Sequence, residues 1–284
     1  MMEENNHAVA FEFRNPIISV VMPVHNCRSI HELKLAMESV LQQSFEKFEF
    51  IICDDASDNE TKQTLENYQK KDSRIILLHN SMNIGVAASL NRCIRVSSGK
   101  YIARMDGDDI SSPERFQTQY DFLEQNKEYA FVGCNAKLID EHGIWGTRLM
   151  PEVPSEKDFF LYSPYIHPSI MGRKDLFTHD GGYCVSKRTW RCEDYEFFMR
   201  QFCQGYYGYN IQSYLFSYRE DMNTYQKQRY KYSVYEAMVR LKGYRKMGIL
   251  WKGGSIYWMK PLVVGIIPKR LYALWKKAYL TEEQ

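Results

Sequence analysis

The 284-residue chain has no C-x-x-C pair, no apolar run long enough to cross a bilayer, no internal repeat and no low-complexity block. Its seven cysteines, Cys27, Cys53, Cys93, Cys134, Cys184, Cys192 and Cys203, form an odd set, and Cys53 sits inside the apolar run FEFIIC. This pattern argues against a disulfide framework and a zinc site, and it predicts reduced, packed thiols. The longest uncharged apolar stretch near the end, PLVVGIIP at 261–268, falls far short of the ~20 residues that a spanning helix needs. The opening MMEENNHAVAFEFRN is acidic and polar where an export signal has a basic start and an apolar core, so a cytoplasmic protein is expected.

What is present is globular: 44% hydrophobic and 25% charged residues, enough for one sizeable core or two small ones. The net charge of +2 conceals a division. Residues 221–284 carry 13 Lys/Arg against 4 Asp/Glu, and residues 1–220 carry 24 against 31. Two parts of opposite sign are expected to face different partners.

The β-branched run IISVVM at 17–22 reads as a strand buried on both faces of a parallel sheet and stopped by Pro23. Ser29 opens a capping box with Glu32, and Ile30, Leu33, Met37, Val40 and Leu41 follow at helical spacing. Strands at 48–53, 75–78 and 100–105 then alternate with helices near 58–70 and 86–97, which predicts a doubly wound α/β sheet. Ser112 as N-cap and Pro113 at the first helical position predict a helix to about 126. The segment 130–192 gives a weaker pattern, with a turn at 140–143, and EDYEFFMRQF reads as a helix ending near Cys203.

Ligands of such sheets bind at the carboxyl ends of the strands. There the chain has PVHN (23–26), DDASD (54–58) and MDGDD (105–109). In an extended segment Asp106 and Asp108 point to one side and Asp109 faces away, a spacing that suits one hard divalent cation shared with substrate phosphates. An exposed turn would use the same residue types, but a position directly after a buried strand favours the metal.

Six ordered blocks across roughly 200 residues carry a family resemblance: SVVMPVHN with the helix end SVLQQSF, FIICDDASDN, NIGVAASLNRCI, GKYIARMDGDDISSPERF, HPSIMGR with GGY, and RCEDYEFFMR. Together they resemble glycosyltransferase family 2, enzymes of the GT-A fold. The resemblance implies a Rossmann-like, doubly wound mixed sheet, with a catalytic domain at 16–220 whose donor half is 16–110 and acceptor half 111–220. An extended or disordered N-terminus at 1–15 and a helical, basic extension at 221–284 would flank it. The resemblance also implies an inverting, metal-dependent sugar transfer of the hexosyltransferase class from a nucleoside-diphosphate sugar, in particular a UDP-sugar. The acceptor would be a saccharide, including one linked to a polyprenyl diphosphate, in capsule, O-antigen or exopolysaccharide synthesis.

By the same resemblance the nucleotide lies against Pro23, Val24, His25 and Asn26, with Asp55 on the uracil, Asp54 beside it, and Asn83 and Gly85 lining the pocket. Asp106 and Asp108, with Gly107 between them, match the D-x-D that holds Mn²⁺ or Mg²⁺ on the diphosphate. Asp194 matches the catalytic base and Glu193 its support, although either acid would also suit the positive end of a helix. Two departures stand out: His25 occupies a position usually held by Tyr, and Arg219 lacks the histidine that commonly follows two positions on. His167 matches a block near the acceptor side and reads equally well as a packed residue.

Two rivals are weighed against this. A nucleotidyltransferase would want a Gly-rich, basic loop after the first strand, and PVHNCRS has no glycine. A non-catalytic nucleotide-sugar binder would tolerate loss of the acids, all of which are present. In the tail, residues 249–280 interleave Trp251, Tyr257, Trp258, Tyr272, Trp275 and Tyr279 with lysines and Arg270, which predicts contact with the anionic inner face of the plasma membrane. Packing back onto the domain is the alternative. No nucleic-acid partner is expected, since no recognised binding module occurs.

Overall fold

The computed structural model describes residues 15–220, 230–268 and 271–272. The expectations for 1–14, for 221–229 and for Arg270, Trp275 and Tyr279 lie outside the described residues.

The first half is the expected alternation: β1 (Ile18–Val24), α1 (Ile30–Leu41), β2 (Phe48–Asp54), α2 (Asn59–Lys71), β3 (Ile75–His79), α3 (Val86–Val96) and β4 (Tyr101–Arg104). Local chemistry sets the helix starts. The Ser29 hydroxyl accepts the Glu32 N–H at 3.3 Å, and the Asp58 carboxylate accepts the Thr61 N–H at 2.8 Å. The expected box is only half made: the Glu32 carboxylate pairs with Arg219 at 3.2 Å instead.

Pro23 does not stop β1: the strand continues to Val24, with Pro23 in register opposite Cys53. Its missing N–H falls on the β4 side, where the pairing of β1 with β4 has already ended at Val21 and Arg104, so no ladder bond is lost.

The second half adds β5 (Ile110–Ser111), α4 (Arg115–Gln125), β6 (Phe131–Asp140), β7 (Gly143–Arg148), β8 (Met171–Arg173), α5 (Lys174–Thr178), α6 (Glu193–Cys203) and β9 (Gly208–Arg219). The helix expected from Pro113 begins at Arg115, because residues 113–114 form a turn and the Ser112 hydroxyl donates to the Glu114 carboxylate at 3.0 Å. The described strands form one sheet in the order β3-β2-β1-β4-β8-β6-β9-β5, with β7 on β6. The pairs β3-β2, β2-β1 and β1-β4 are parallel, and β8 joins β4 antiparallel, so the sheet is mixed. Chain order reverses between β2-β1 and β1-β4, which makes the carboxyl ends of β1, β2 and β4 the switch point where a ligand crevice opens.

Strand alternation sorts the core into two layers. Val20, Met22, Phe50 and Ile52 pack with Leu33 and Met37 of α1, Leu65 of α2 and Phe116 of α4. Val21, Ile51 and Cys53 pack on the other face with Leu90 and Cys93 of α3 and with Phe197 and Phe198 of α6. The cysteines are all free, but burial holds only for Cys53, Cys93, Cys134 and Cys192; Cys203 is exposed and Cys27 and Cys184 are half-buried.

The chain beyond 229 joins the second layer. In α7 (Tyr230–Lys246) the buried Arg240 donates from Nη1 to the Phe160 carbonyl at 2.8 Å, pairs with Glu236 and lies 4.7 Å from the Tyr195 ring of α6. Tyr244 donates its hydroxyl to the Phe159 carbonyl at 2.7 Å. Packing on the domain therefore accounts for α7, for buried Ile249 and for Tyr257, which stacks on Phe160 at 5.2 Å. It does not account for Trp251, Ile256, Val263 and Ile266, which are 87%, 72%, 63% and 73% exposed. Among the described residues, no helix is long and apolar enough to cross a membrane.

Candidate active site

The loop after β1 presents His25 and Asn26 at the surface of the crevice. His25 Nδ1–H donates to the Asp55 carbonyl at 2.7 Å, which fixes the ring over the end of β2 and leaves Nε2 to accept from Asn26. Asn26 adopts the left-handed conformation (φ 47°), its side-chain oxygen accepting the Asp58 N–H at 2.7 Å. This residue is suited to such a φ.

Asp54 and Asp55 are both buried, with different tasks. Asp54 accepts from the Ser57 N–H at 2.9 Å and from His79 Nδ1 at 3.1 Å. Burial works against its charge, but the Ser57 and His79 hydrogen bonds outweigh that and hold the carboxyl below its ordinary range. Asp55 accepts from Asn80 Nδ2 at 2.7 Å and from the N–H groups of Ile84 and Gly85 at 2.8 Å each. It thus shapes the 80–85 loop, and with four lone-pair sites it retains one for a further donor such as a base imide. Gly85 has φ 88° and open space where a Cβ would stand, so conformation rather than close approach requires glycine there. Asn83 is exposed on the same loop.

The segment after β4 is not extended. It turns at Gly107 and Asp108, and a carboxylate oxygen from each of Asp106, Asp108 and Asp109 lies within 4.8 Å of the others. Asp109 therefore does not face away as period-2 spacing predicts; the turn folds it into the group. Burial, then Asp108 and Asp106, push its carboxyl well above the usual range. Its Oδ1 accepts the Arg219 N–H at 2.7 Å, while its buried Oδ2 has no hydrogen-bond partner among the described residues. Three converging carboxylates with an orphaned buried oxygen fit a hard divalent cation. Arg219 closes this turn from β9, donating from Nε to the Asp108 carbonyl at 3.0 Å while pairing with Glu32. Its part here is structural, a role that the sequence left open. Cys27 is no competing thiolate ligand, since burial and then Asp108 push its thiol up to about 12.

Glu193 and Asp194 begin α6, behind Arg191 in the left-handed region (φ 71°). Burial and then Glu193 push the Asp194 carboxyl up to about 7, against the Tyr195 N–H and Arg104, with Glu236 of α7 adding to the rise. Burial also raises Glu193, opposed by backbone N–H groups and Arg104. An acid brought near neutrality beside a crevice is equipped to take a proton from a hydroxyl. His167 is buried and shares a 2.7 Å hydrogen bond with the Tyr183 hydroxyl, and burial holds its imidazole well below its ordinary value. Burial and the bond to Tyr183 are those of a packed residue.

Sequence reasoning passed over Arg104. It is buried at the end of β4, ion-pairs with Asp106, and acts electrostatically on Asp109, His167, Tyr183, Glu193 and Asp194. The available signal was a cation inside the apolar strand YIAR, immediately before the acid cluster.

The end of β4, at the switch point of a mixed α/β sheet, carries a carboxylate cluster, and the start of α6 carries an acid raised to about 7. The glycosyl transferase family 2 profile matches residues 19–262, and the chain belongs to that family. EpsE of Bacillus subtilis is 37% identical over 254 residues, covering 89% of this chain and 90% of EpsE. The O-antigen biosynthesis glycosyltransferase WbnJ of Escherichia coli is 31% identical over 65% of this chain and 71% of its own. Among solved structures, S. aureus TarS residues 1–349 in complex with UDP-GlcNAc superposes with a TM-score of 0.64 at 16% identity, over 79% of this chain and 65% of that one. The mannosyltransferase PcManGT of Pyrobaculum calidifontis, in complex with GDP-Man and Mn²⁺, gives 0.63 at 12% identity over 93% and 80%. At these identities the structures establish the GT-A fold, and the activity class follows from the family: the protein is a glycosyltransferase.

Proposed function

We propose that the chain moves a sugar from a UDP-sugar to a saccharide hydroxyl with inversion at the anomeric carbon, in assembly of a surface polysaccharide. The observation that carries the reading is the carboxylate trio after β4 with its orphaned Asp109 oxygen, together with Asp194, raised to about 7, at the start of α6. Asp106 and Asp108 would hold Mn²⁺ or Mg²⁺, with Asp109 as the third acid of the group. A divalent ion there supplies neutralisation of charge on the departing diphosphate.

The residues of the chain do the rest. The exposed face of His25 and the remaining acceptor capacity of Asp55 suit a uracil, with Pro23, Val24, Asn26 and Asp54 framing the pocket and Asn83 and Gly85 on its far rim. Asp194 takes the proton of the acceptor hydroxyl as that oxygen bonds to the anomeric carbon. The bond from this carbon to the β-phosphate oxygen breaks, and its electron pair leaves with UDP. Glu193 supports Asp194 and keeps its proton affinity high. WbnJ acts in O-antigen biosynthesis, in keeping with a polysaccharide acceptor, including one on a polyprenyl diphosphate. The exposed Trp251, Ile256, Val263 and Ile266, in a tail rich in Lys and Arg, support peripheral contact with an anionic membrane surface.

The test is release of UDP from a panel of UDP-sugars with Mn²⁺, comparing wild type, Asp108→Ala and Asp194→Asn. Turnover of one donor, lost in both variants while Asp194→Asn still binds that donor, is the expected result. Tight UDP binding with no turnover of any donor, with acceptor extracts present, would make the chain a binding protein instead.

A further inference from the structure

Arg104 has a combination of features that neither strand packing nor the family chemistry assigned above explains. It is 4% exposed, on the last residue of β4, with every neighbouring strand already paired. Its backbone is held on both sides: its N–H donates to the Ile170 carbonyl at 2.9 Å, and its carbonyl accepts from Arg115 Nη2 at 2.9 Å. Arg115 is itself fully buried in α4, so a second cation is committed to fixing the place of the first. Arg104 Nη1 pairs with Asp106, while its Nε makes no hydrogen bond among the described residues. Structural arginines in cores have their donors filled, as Arg240 does on two carbonyls and Glu236. Arg104 instead spends its charge on an acid of the metal cluster, Asp106, with a buried donor left over.

We infer that Arg104 is a positioning residue that serves as the counter-ion of the metal-holding carboxylates. It keeps Asp106, Asp108 and Asp109 together when no metal is bound and weakens their hold on a free divalent ion. The cation is then retained when it arrives with the phosphates of a nucleotide. This rests on the metal-assisted reading above. A unit positive charge beside the ligand set repels an incoming dication at short range in a partly desolvated crevice, where such terms are large. The alternative is that Arg104 merely props up Asp106. The two roles differ in sign for free metal: loss of a counter-ion tightens its binding, and loss of a prop loosens it.

The experiment measures Mn²⁺ binding by titration calorimetry, without nucleotide and again with UDP, for wild type, Arg104→Met and Arg104→Lys. Turnover and melting temperature are recorded alongside. Expected is free Mn²⁺ binding at least about fivefold tighter in Arg104→Met, from the charge removed beside the ligands. The gain from adding UDP should be smaller than in wild type, turnover should fall tenfold or more, and Arg104→Lys should stay close to wild type in all three. Unchanged or weaker free Mn²⁺ binding in a folded Arg104→Met overturns the inference, as does Arg104→Lys behaving like Arg104→Met. If Arg104→Met does not fold, Arg104→Gln, neutral and of similar polarity, is read by the same signs. Wild type that binds no Mn²⁺ even with UDP would instead overturn the metal-assisted reading itself.

Discussion

Replacing Asp194 by Asn should make the protein more stable and less active, and the gain should depend on pH. Burial first, then Glu193 and Glu236, lift the carboxyl from 3.8 to about 7, against the pull of the Tyr195 N–H and Arg104. A carboxyl with a raised folded pKa binds its proton more tightly in the native state. Its stabilising contribution is therefore full below its unfolded value and is lost as pH rises towards the folded one. At roughly 1.4 kcal/mol per unit, ionising Asp194 in place costs up to about 4 kcal/mol at pH 8, and about half of that with relaxation and water entry. At pH 5 the native carboxyl keeps its proton, and the cost is about 1–2 kcal/mol at the same upper bound. The amide of the variant has no charge to bury at either pH. Thermal melts at pH 5 and pH 8 should show Asp194→Asn above wild type by about 4 °C at pH 8 and by clearly less at pH 5. Turnover should fall by about 10²–10⁴ while donor binding persists. Wild-type turnover should rise with pH through about 7, as the base loses its proton. A variant that is less stable at pH 8, or whose advantage is the same at both pH values, would refute the argument that an ionised Asp194 is held at a cost.

Arg219→Ala removes the Nε bond to the Asp108 carbonyl and the pair with Glu32, leaving the metal turn loose. Mn²⁺ binding with UDP should weaken about tenfold, as for other residues that orient ligands from behind, with little change in melting temperature. Arg240→Ala strips two carbonyls of donors and leaves Glu236 beside α6 without its cation. A loss of about 1–3 kcal/mol is expected by denaturant titration, since carbonyls that lose their buried donor are left unsatisfied. Substituting Trp251, Ile256, Val263 and Ile266 together by Ser should abolish cosedimentation with anionic vesicles without altering UDP release from donor. Equal sedimentation of both proteins would exclude this face as the contact.

How much of this could be read from the sequence differs by region for physical reasons. The alternation up to Arg104 was legible because strands buried on both faces leave unbroken apolar runs, and because Ser29 and Asp58 cap helices through their own side chains. The strand-end acids were legible as a set, since polar residues directly after a buried strand have few places to go but the crevice. Asp109 was misread because period-2 reasoning holds only while the chain stays extended, and Gly107 lets it turn. The turn is held from the far end of the chain order by Arg219, which no local pattern contains. β8 is too short, at three residues, to leave a period, and it pairs antiparallel to β4 through contacts distant in sequence. The tail divided for the same reason. Nothing local marks Arg240 and Tyr244 as packed residues, since their partners are the carbonyls of 159–161.

The acidic excess of residues 1–220 acquires a location in the fold. Asp106, Asp108 and Asp109 gather at the end of β4, where the buried guanidinium of Arg104 pairs with Asp106, and Glu193 and Asp194 begin α6. Like charges gathered this closely oppose folding, and the raised carboxyls of Asp109, Glu193 and Asp194 express that opposition. A sequence selected for stability alone would have spread these acids over the surface. Their convergence at the switch point, supported by Arg115 and Arg219 from other elements, means that the charge is completed by what binds there: a dication on one side and a hydroxyl proton on the other. Arg240, the buried cation of α7, is for its part occupied by Glu236 and two carbonyls.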